Sequence, residues 1–101
     1  MRVYISGPMT GLPRHNFPKF NKAEKLLLAQ GVEVVNPATK GIIKGWTWAQ
    51  YLRMDLGQLL ECDAIYLLKG WHHSNGAQLE YHVARTLNMI IYDEGDSVGQ
   101  E

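Results

Sequence analysis

Short continuous apolar runs alternate along the chain with longer stretches in which apolar side chains recur at helical spacing. Residues 1–6, MRVYIS, form a short apolar run stopped by a Gly-Pro pair, which is typical of a buried strand. Comparable runs predict three more strands, VEVVNPA (residues 32–38), AIYLL (residues 64–68) and MIIYD (residues 89–93). The stretches between these runs predict three helices.

The starts of the first two predicted helices carry local signals. Asn16 is placed to cap the first helix, and Pro18 falls in its first turn, where a missing N–H costs nothing. Thr47 and Gln50 have the spacing of a capping box at the start of the second helix. The predicted apolar stripes are Phe20, Ala23, Leu27 and Leu28 in the first helix, and Trp48, Leu52, Leu56, Leu59 and Leu60 in the second.

Strands that alternate with helices of this length predict parallel βαβ units with right-handed crossovers. The expected fold is therefore an α/β three-layer sandwich with a small parallel sheet of about four strands. Ligands of such sheets bind beyond the carboxyl ends of the strands, where strand order reverses. The loops at that edge are GPMTG, NPATK and GWHHSNG.

Length and composition set further limits. The 101 residues are enough for one domain with its own core, which we expect over residues 1–93, followed by a flexible tail at 94–101. Cys62 is the single cysteine, which excludes an internal disulfide, and no signal peptide or apolar membrane span is present, so a soluble cytoplasmic protein is expected. Ten basic and ten acidic residues give a net charge of zero, which disfavours a nucleic-acid polymer as partner.

The third predicted helix carries an acid on its inward stripe. That stripe consists of Gly76, Ala77, Glu80, Val83, Ala84 and Leu87. A carboxylate that faces a core is costly unless it borders a cleft or has a partner. Gly76 removes side-chain bulk one turn earlier, and Ser74 with the free N–H groups of the helix start could bind an anion. The alternative is that the helix dipole alone favours an acid near the helix start.

Two other residues could share a site with Glu80. Asp55 borders the apolar stripe of the second helix, although it could instead be an edge charge paired with Arg53 or with solvent. Tyr4 lies in the first strand and could be simple core. A nucleophilic carboxylate, a second acid and a phenol around one pocket would nevertheless suit glycosyl transfer.

Other candidate chemistry is weaker. The histidines His72, His73 and His82, with Cys62 nearby, fit no zinc spacing, so no metal is expected. Of the three tryptophans, Trp71 is the best candidate for contact with a base, because it lies in the loop beside the proposed pocket, and the other two are expected to pack.

Three segments, YISGPMTG, MDLGQLLECDAIYLL and SNGAQLEYHVA, resemble the nucleoside 2-deoxyribosyltransferase superfamily over nearly the whole chain, most closely its short members of uncharacterised function. The resemblance implies a flavodoxin-like fold. It implies that Glu80 attacks the anomeric carbon to form a covalent glycosyl-enzyme, that Asp55 helps to protonate or hold the leaving base, and that Tyr4 orients the nucleophile. It also implies a homo-oligomer and no cofactor.

The resemblance also bears on the substrate. Transferases of the superfamily tend to have an acid six residues before the glutamate, whereas the 2-deoxynucleoside 5-monophosphate N-hydrolases have a serine that contacts phosphate, and this chain has Ser74 there. A nucleotide ligand is thus implied, with Gly7, Pro8, Met9 and Gly76 around its phosphate and sugar. The expected activity is cleavage of the N-glycosidic bond of a nucleoside 5-monophosphate. The alternatives are transfer of deoxyribose between bases and a nucleotide-binding module without turnover.

Overall fold

Four parallel strands form one sheet in the computed structural model, which describes residues 1–99. They are β1 (Arg2–Ser6), β2 (Glu33–Val35), β3 (Ala64–Leu67) and β4 (Ile90–Asp93). Their order across the sheet is β2-β1-β3-β4, and each neighbouring pair is parallel. The chain therefore moves outward from β1 to β2 and then crosses to β3 on the other side of β1, which creates a crevice beyond the carboxyl ends of β1 and β3.

Three α-helices join these strands within residues 1–99. They are α1 (Phe17–Ala29), α2 (Trp48–Leu59) and α3 (Asn75–Thr86), and short 3-10 helices cover Pro13–Asn16, Pro37–Lys40 and Trp71–His73. The α/β class and the flavodoxin-like arrangement predicted from the sequence are confirmed. No helix of this part of the chain is long and apolar enough to cross a membrane.

The two faces of the sheet are covered by different helices. The α1 face is apolar and contains Val3 and Ile5 of β1, packed with Phe20, Ala23 and Leu27 of α1. The α2–α3 face contains the intervening strand residues. Its buried members are Tyr4, Leu59, Cys62, Ile65, Leu67 and Ala84. The central strands β1 and β3 thus contribute alternate side chains to the two layers, as the period of a strand requires.

The helix starts follow the sequence signals in part. Thr47 and Gln50 form the predicted reciprocal capping box at the start of α2. Asn16 occupies the N-cap position of α1, but its side chain does not cap the helix. Instead its Nδ2 donates to the Pro8 carbonyl at 2.9 Å and so ties the start of α1 to the loop after β1.

Several predicted core positions are exposed. Leu28, Leu60 and Leu87 are 52, 59 and 54% exposed. Leu60 and Leu87 follow the last residues of α2 and α3, so the helical period that predicted their orientation no longer applies there. The second strand is shorter than predicted, because Pro37 begins a 3-10 helix.

The packed part of the chain extends past residue 93, where the sequence pattern placed the start of a flexible tail. Val98 is fully buried in the α1-face cluster, and its N–H donates to Gln30 Oε1 at 2.7 Å. Gly95 donates its N–H to the hydroxyl of Tyr66 at 2.8 Å. Residues 100 and 101 of the predicted tail lie outside the described residues.

Candidate active site

A cavity of about 410 Å³ opens beyond the carboxyl ends of β1 and β3. Its walls come from the loop after β1, the first residues of α1, the turn after β2, and helices α2 and α3. Among its lining residues are Tyr4, Gly7, Met9, Phe17, Phe20, Lys40, Trp48, Tyr51, Leu52, Asp55, Ser74, Gly76, Ala77 and Glu80. This cavity lies in the crevice predicted from strand order, and its lining contains all three proposed catalytic residues.

Glu80 lies at the floor of this cavity with only 5% of its surface exposed. Its Oε2 accepts a hydrogen bond of 2.7 Å from the Tyr4 hydroxyl, and its Oε1 accepts one of 2.7 Å from the Ser6 hydroxyl. Two hydroxyls on one strand thus fix the plane of a carboxylate that α3 presents to the sheet. Glu80, the acid on the inward stripe of the third predicted helix, therefore has hydrogen-bond partners and also borders a cleft.

The protonation of Glu80 is finely balanced. Burial raises the pKa of its carboxyl to about 7, while the hydrogen bonds from Ser6 and Tyr4 act in the opposite direction. The negative charge of Asp55 also raises this pKa, and the ammonium of Lys40 lowers it. A buried carboxyl with a pKa near neutrality beside an open cavity differs from the solvated helix-start charge that the helix dipole alone would explain.

Tyr4 is fully buried and remains a hydrogen-bond donor. Burial is the main cause that raises the pKa of its phenol well above the ordinary value, and the negative charge of Glu80 adds to the effect. The phenol therefore keeps its proton and directs it at the Glu80 carboxylate. Its position supports orientation of Glu80 more than a simple core role.

Asp55 pairs with Lys40, not with Arg53 or solvent. The Lys40 ammonium donates to Asp55 Oδ1 and, at 2.8 Å, to the Pro37 carbonyl. The side chains of Lys40 and Asp55 are 12 and 16% exposed, so this ion pair is largely removed from water. Burial raises the pKa of Asp55, and the hydrogen bond from Lys40 opposes that rise.

A smaller cavity of about 260 Å³ adjoins the first at the start of α3. Pro8 lies in its wall, and both cavities share Met9, Trp48, Ser74 and Gly76. Ser74 caps α3, since its hydroxyl oxygen accepts from the Ala77 N–H at 3.2 Å.

The two candidate glycines differ in what they permit. A Cβ on Gly7 would lie 2.8 Å from Leu68 Cβ, so the absence of a side chain lets the loop after β1 pass close to the end of β3. A Cβ on Gly76 would make ordinary contacts with Leu52 and Trp48 at 3.8 and 3.9 Å. Gly7 is therefore required by packing, whereas Gly76 leaves space at the cavity wall.

The tryptophan next to the cavity is Trp48, not Trp71. Trp71 is outside the cavity lining, and its ring stacks on His72 with centroids 3.9 Å apart and lies 4.6 Å from the ring of Tyr81. The 3-10 turn at Trp71–His73 directs the ring toward α3 and away from the crevice. Trp48, expected to pack, is 55% exposed and lines both cavities, so its ring is free to contact a ligand.

A left-handed backbone segment borders the mouth of the cavity. Arg14, His15 and Asn16 have φ values of 53, 52 and 60°. Left-handed conformations cost non-glycine residues roughly 1–2 kcal/mol each, so tertiary contacts must stabilise this turn. The Asn16–Pro8 hydrogen bond is one such contact, and the turn places His15 and Phe17 in the cavity wall.

Sequence reasoning missed Ser6 and Lys40, which donate hydrogen bonds to Glu80 and Asp55. Ser6 lies two residues after Tyr4 on the same strand, and strand periodicity alone places both side chains on one face. Lys40 is the one charged residue in the NPATK loop, which strand order had placed at the ligand-binding edge. Among residues 1–99, no group of three or more His, Cys, Asp and Glu side chains is arranged to bind a metal ion.

One known protein family matches most of the chain. Residues 1–93 match the family described as Domain of unknown function (DUF4406). The chain belongs to this family. No curated protein matches the sequence.

A solved structure shares the fold of this DUF4406 protein. It is a 2-desoxiribosyltransferase from Leishmania mexicana, with a TM-score of 0.70, 21% sequence identity and coverage of 91% of this chain. The DUF4406 chain spans 62% of the length of that chain. The similarity confirms the deoxyribosyltransferase-like fold that the three sequence segments predicted.

Proposed function

We propose that this DUF4406 protein cleaves the N-glycosidic bond of a nucleoside 5-monophosphate through a covalent glycosyl intermediate on Glu80. One observation carries the proposal. The Glu80 carboxylate, 5% exposed and hydrogen-bonded by two hydroxyls at 2.7 Å, borders a cavity of about 410 Å³ that also contains an acid and its lysine partner. The fold shared with a 2-desoxiribosyltransferase supports the same class of chemistry.

The reaction requires one group that acts on the sugar and another that acts on the base. When the bond between sugar and base breaks, positive charge develops on the anomeric carbon and negative charge on the base. In the proposal, Glu80 attacks the anomeric carbon from one side, and the Lys40–Asp55 pair faces the base on the other. Water then attacks the anomeric carbon of the glycosyl–Glu80 ester and releases the sugar phosphate.

The pocket offers a separate environment for each part of such a substrate. The larger cavity has apolar and aromatic walls from Phe17, Trp48, Tyr51 and Leu52, which suit a planar base. The smaller cavity lies at the start of the 12-residue helix α3, where free N–H groups and the positive end of the helix dipole favour a phosphate. The Ser74 hydroxyl retains its proton for donation while its oxygen accepts from Ala77.

A panel of nucleosides and nucleoside 5-monophosphates tests the proposal. The protein is incubated with each compound, and free base is measured by chromatography against a blank without protein. We expect release of base from 5-monophosphates in preference to the matching nucleosides. Release from nucleosides alone would remove the phosphate from the proposal, and release from no compound would leave a binding module.

Transfer of the sugar to a second base is the alternative outcome for the same intermediate. It is supported by the fold shared with a 2-desoxiribosyltransferase. Addition of a second free base to each reaction separates the two activities, because transfer yields a new nucleotide whereas hydrolysis yields only the sugar phosphate and the original base. We expect hydrolysis to dominate.

A further inference from the structure

Lys40 is the one lysine or arginine that lines the cavity among residues 1–99. It ends the 3-10 turn Pro37–Lys40 after β2, and its side chain is 12% exposed. Two of its three N–H bonds point to Asp55 Oδ1 and to the Pro37 carbonyl. The third N–H has no acceptor within residues 1–99, and it is available to a ligand in the cavity.

The pairing of Lys40 with Asp55 limits what Asp55 can donate. In the ion pair the carboxylate oxygen accepts and the ammonium donates, so the transferable proton of the pair lies on the lysine nitrogen. Both side chains line the same cavity as Glu80. A second acid there is tolerated because Lys40 offsets its charge.

We propose that Lys40 donates the proton to the leaving base and that Asp55 acts as a positioning residue for the Lys40 ammonium. This inference rests on the proposed function, since it assigns one step of that reaction. It differs from the role expected for Asp55 from the sequence, which made the carboxyl itself the group that meets the base.

The first step moves the sugar from the base to Glu80 and a proton from Lys40 to the base. An oxygen of Glu80 forms a bond to the anomeric carbon as the bond from that carbon to the base nitrogen breaks, and the bonding pair goes to the base. A proton moves from Lys40 Nζ to the base, which leaves as a neutral molecule. Lys40 is then a neutral amine that still contacts Asp55.

The second step restores the resting state. Water enters where the base has left and attacks the anomeric carbon of the glycosyl ester, which returns the bonding pair to the Glu80 carboxylate. The neutral Lys40 amine takes one proton from that water and becomes an ammonium again. The sum is nucleotide plus water giving free base and sugar phosphate, as the proposed function requires.

The variant Lys40→Arg distinguishes two possible roles of Lys40, donation of a proton to the base and placement of a positive charge beside Asp55. The guanidinium keeps the positive charge and can still pair with Asp55, but it does not release a proton at ordinary pH. If Lys40 is the donor, kcat of Lys40→Arg should fall by about 10²-fold or more for an ordinary purine or uracil nucleotide, the usual range for loss of a general acid. If Lys40 only holds Asp55 in place, Lys40→Arg should retain most of the activity.

Pairs of substrates that differ only in the leaving base separate proton donation from a structural role. A purely structural role of Lys40 would change the cleavage rates of both members of a pair by the same factor. A purine nucleotide is compared with its N7-methylated form, and a uracil nucleotide with its 5-fluoro form, each corrected for spontaneous decay. The N7-methylated base leaves as a neutral molecule without accepting a proton, so Lys40→Arg should cleave it at nearly the wild-type rate. For the 5-fluoro nucleotide, whose base is a better leaving group, the loss should be smaller than for uracil.

Three controls keep the experiment decisive. Lys44→Arg makes the same change at an exposed lysine in the same loop, outside the cavity lining, and should leave every rate unchanged. Melting temperatures test whether Lys40→Arg is folded. If it is not, the double variant Lys40→Met with Asp55→Leu removes both charges of the buried pair together and should show the same dependence on leaving group.

The outcomes separate the two proposals. A wild-type protein that releases no base from any substrate overturns the proposed function and this inference with it. Wild-type release together with full activity of Lys40→Arg, or with equal losses for good and poor leaving groups, overturns only the role of Lys40. Loss confined to poor leaving groups supports both.

Discussion

Neighbouring residues of β1 face opposite sides of the sheet and carry opposite chemistry. Val3 and Ile5 are fully buried among apolar side chains of the α1 face. Tyr4 and Ser6 are equally buried on the α2–α3 face, but each donates a hydrogen bond to Glu80 at 2.7 Å. Within this strand, alternate residues therefore either pack in the apolar core or hold the Glu80 carboxylate.

The comparison shows where this small domain tolerates polar groups. The α1 face stabilises the domain by excluding water from apolar surface. The α2–α3 face is interrupted near the carboxyl ends of the strands by polar side chains that hydrogen-bond to each other: the buried Tyr4, Ser6 and Glu80, and the partly buried Lys40 and Asp55. Substitutions on the α1 face should change stability, whereas substitutions at the polar interruption should change catalysis.

Glu80→Gln should have the largest effect on activity. It removes the attacking oxyanion while keeping size and hydrogen-bonding capacity, so turnover should fall by several orders of magnitude with nucleotide affinity largely preserved. Base release and nucleotide binding are measured on the same preparation. Glu61→Gln, which neutralises an exposed acid, serves as the control and should be fully active.

The stability of Glu80→Gln should depend on pH in a defined direction. The pKa of Glu80 is raised to about 7 in the folded protein, so between its ordinary value and pH 7 the folded state binds more protons than the unfolded state. The contribution of Glu80 to wild-type stability therefore falls as pH rises through that window, and the variant lacks this loss. Melting temperatures from pH 4 to 8 should increasingly favour Glu80→Gln, and a variant that is less stable yet fully active would end the catalytic role of Glu80.

Asp55→Asn should reduce cleavage by more than tenfold, because the amide no longer anchors the Lys40 ammonium beside the leaving base and loss of acid catalysis costs roughly 10²–10⁴ in rate. The loss should shrink for substrates with better leaving bases. Rates for good and poor leaving groups are compared with those of Asp93→Asn, an exposed acid on β4. Equal losses for all substrates would show that the Asp55 side does not act on the base.

Ser74→Ala should weaken 5-monophosphates relative to nucleosides by about tenfold, the scale of one hydrogen bond to a charged group. The same hydroxyl oxygen caps α3, so the variant should also lose about 1 kcal/mol of unfolding free energy. This loss of stability should affect both ligand types equally, so it cancels in the ratio of kcat/KM for 5-monophosphates to kcat/KM for nucleosides. An unchanged ratio would remove the phosphate role of Ser74 and favour a nucleoside substrate.

Sequence periodicity predicted the α/β class because that class depends on local patterns, whereas the flavodoxin-like arrangement and the proposed roles of Asp55 and Tyr4 came from the resemblance of three segments to a known superfamily. Strand and helix periods gave the order of elements, and an acid on an apolar helical stripe singled out Glu80. Lys40 was missed because its contact with Asp55 joins residues 15 apart, in a turn and a helix that the pattern does not orient relative to each other. Trp71 was predicted to contact a base because its loop lies beside the proposed pocket. Proximity in sequence cannot show which way a 3-10 turn directs a ring, and the ring of Trp71 lies outside the cavity lining.

Ser6→Ala should have the smallest effect on activity, and it tests whether the two faces of β1 have different roles. The Ser6 hydrogen bond lowers the pKa of Glu80, while Tyr4 and Lys40 act in the same direction and burial and Asp55 act against them. Loss of the hydroxyl should therefore raise that pKa, so the activity of Ser6→Ala should appear at higher pH than that of the wild type and approach it in alkaline buffer. Ile5→Val, the adjacent position on the α1 face, should cost about 0.5–1.5 kcal/mol of stability without moving the pH profile. If both variants shift the profile equally, or neither does, then the division of β1 into a stabilising face and a reactive face is wrong.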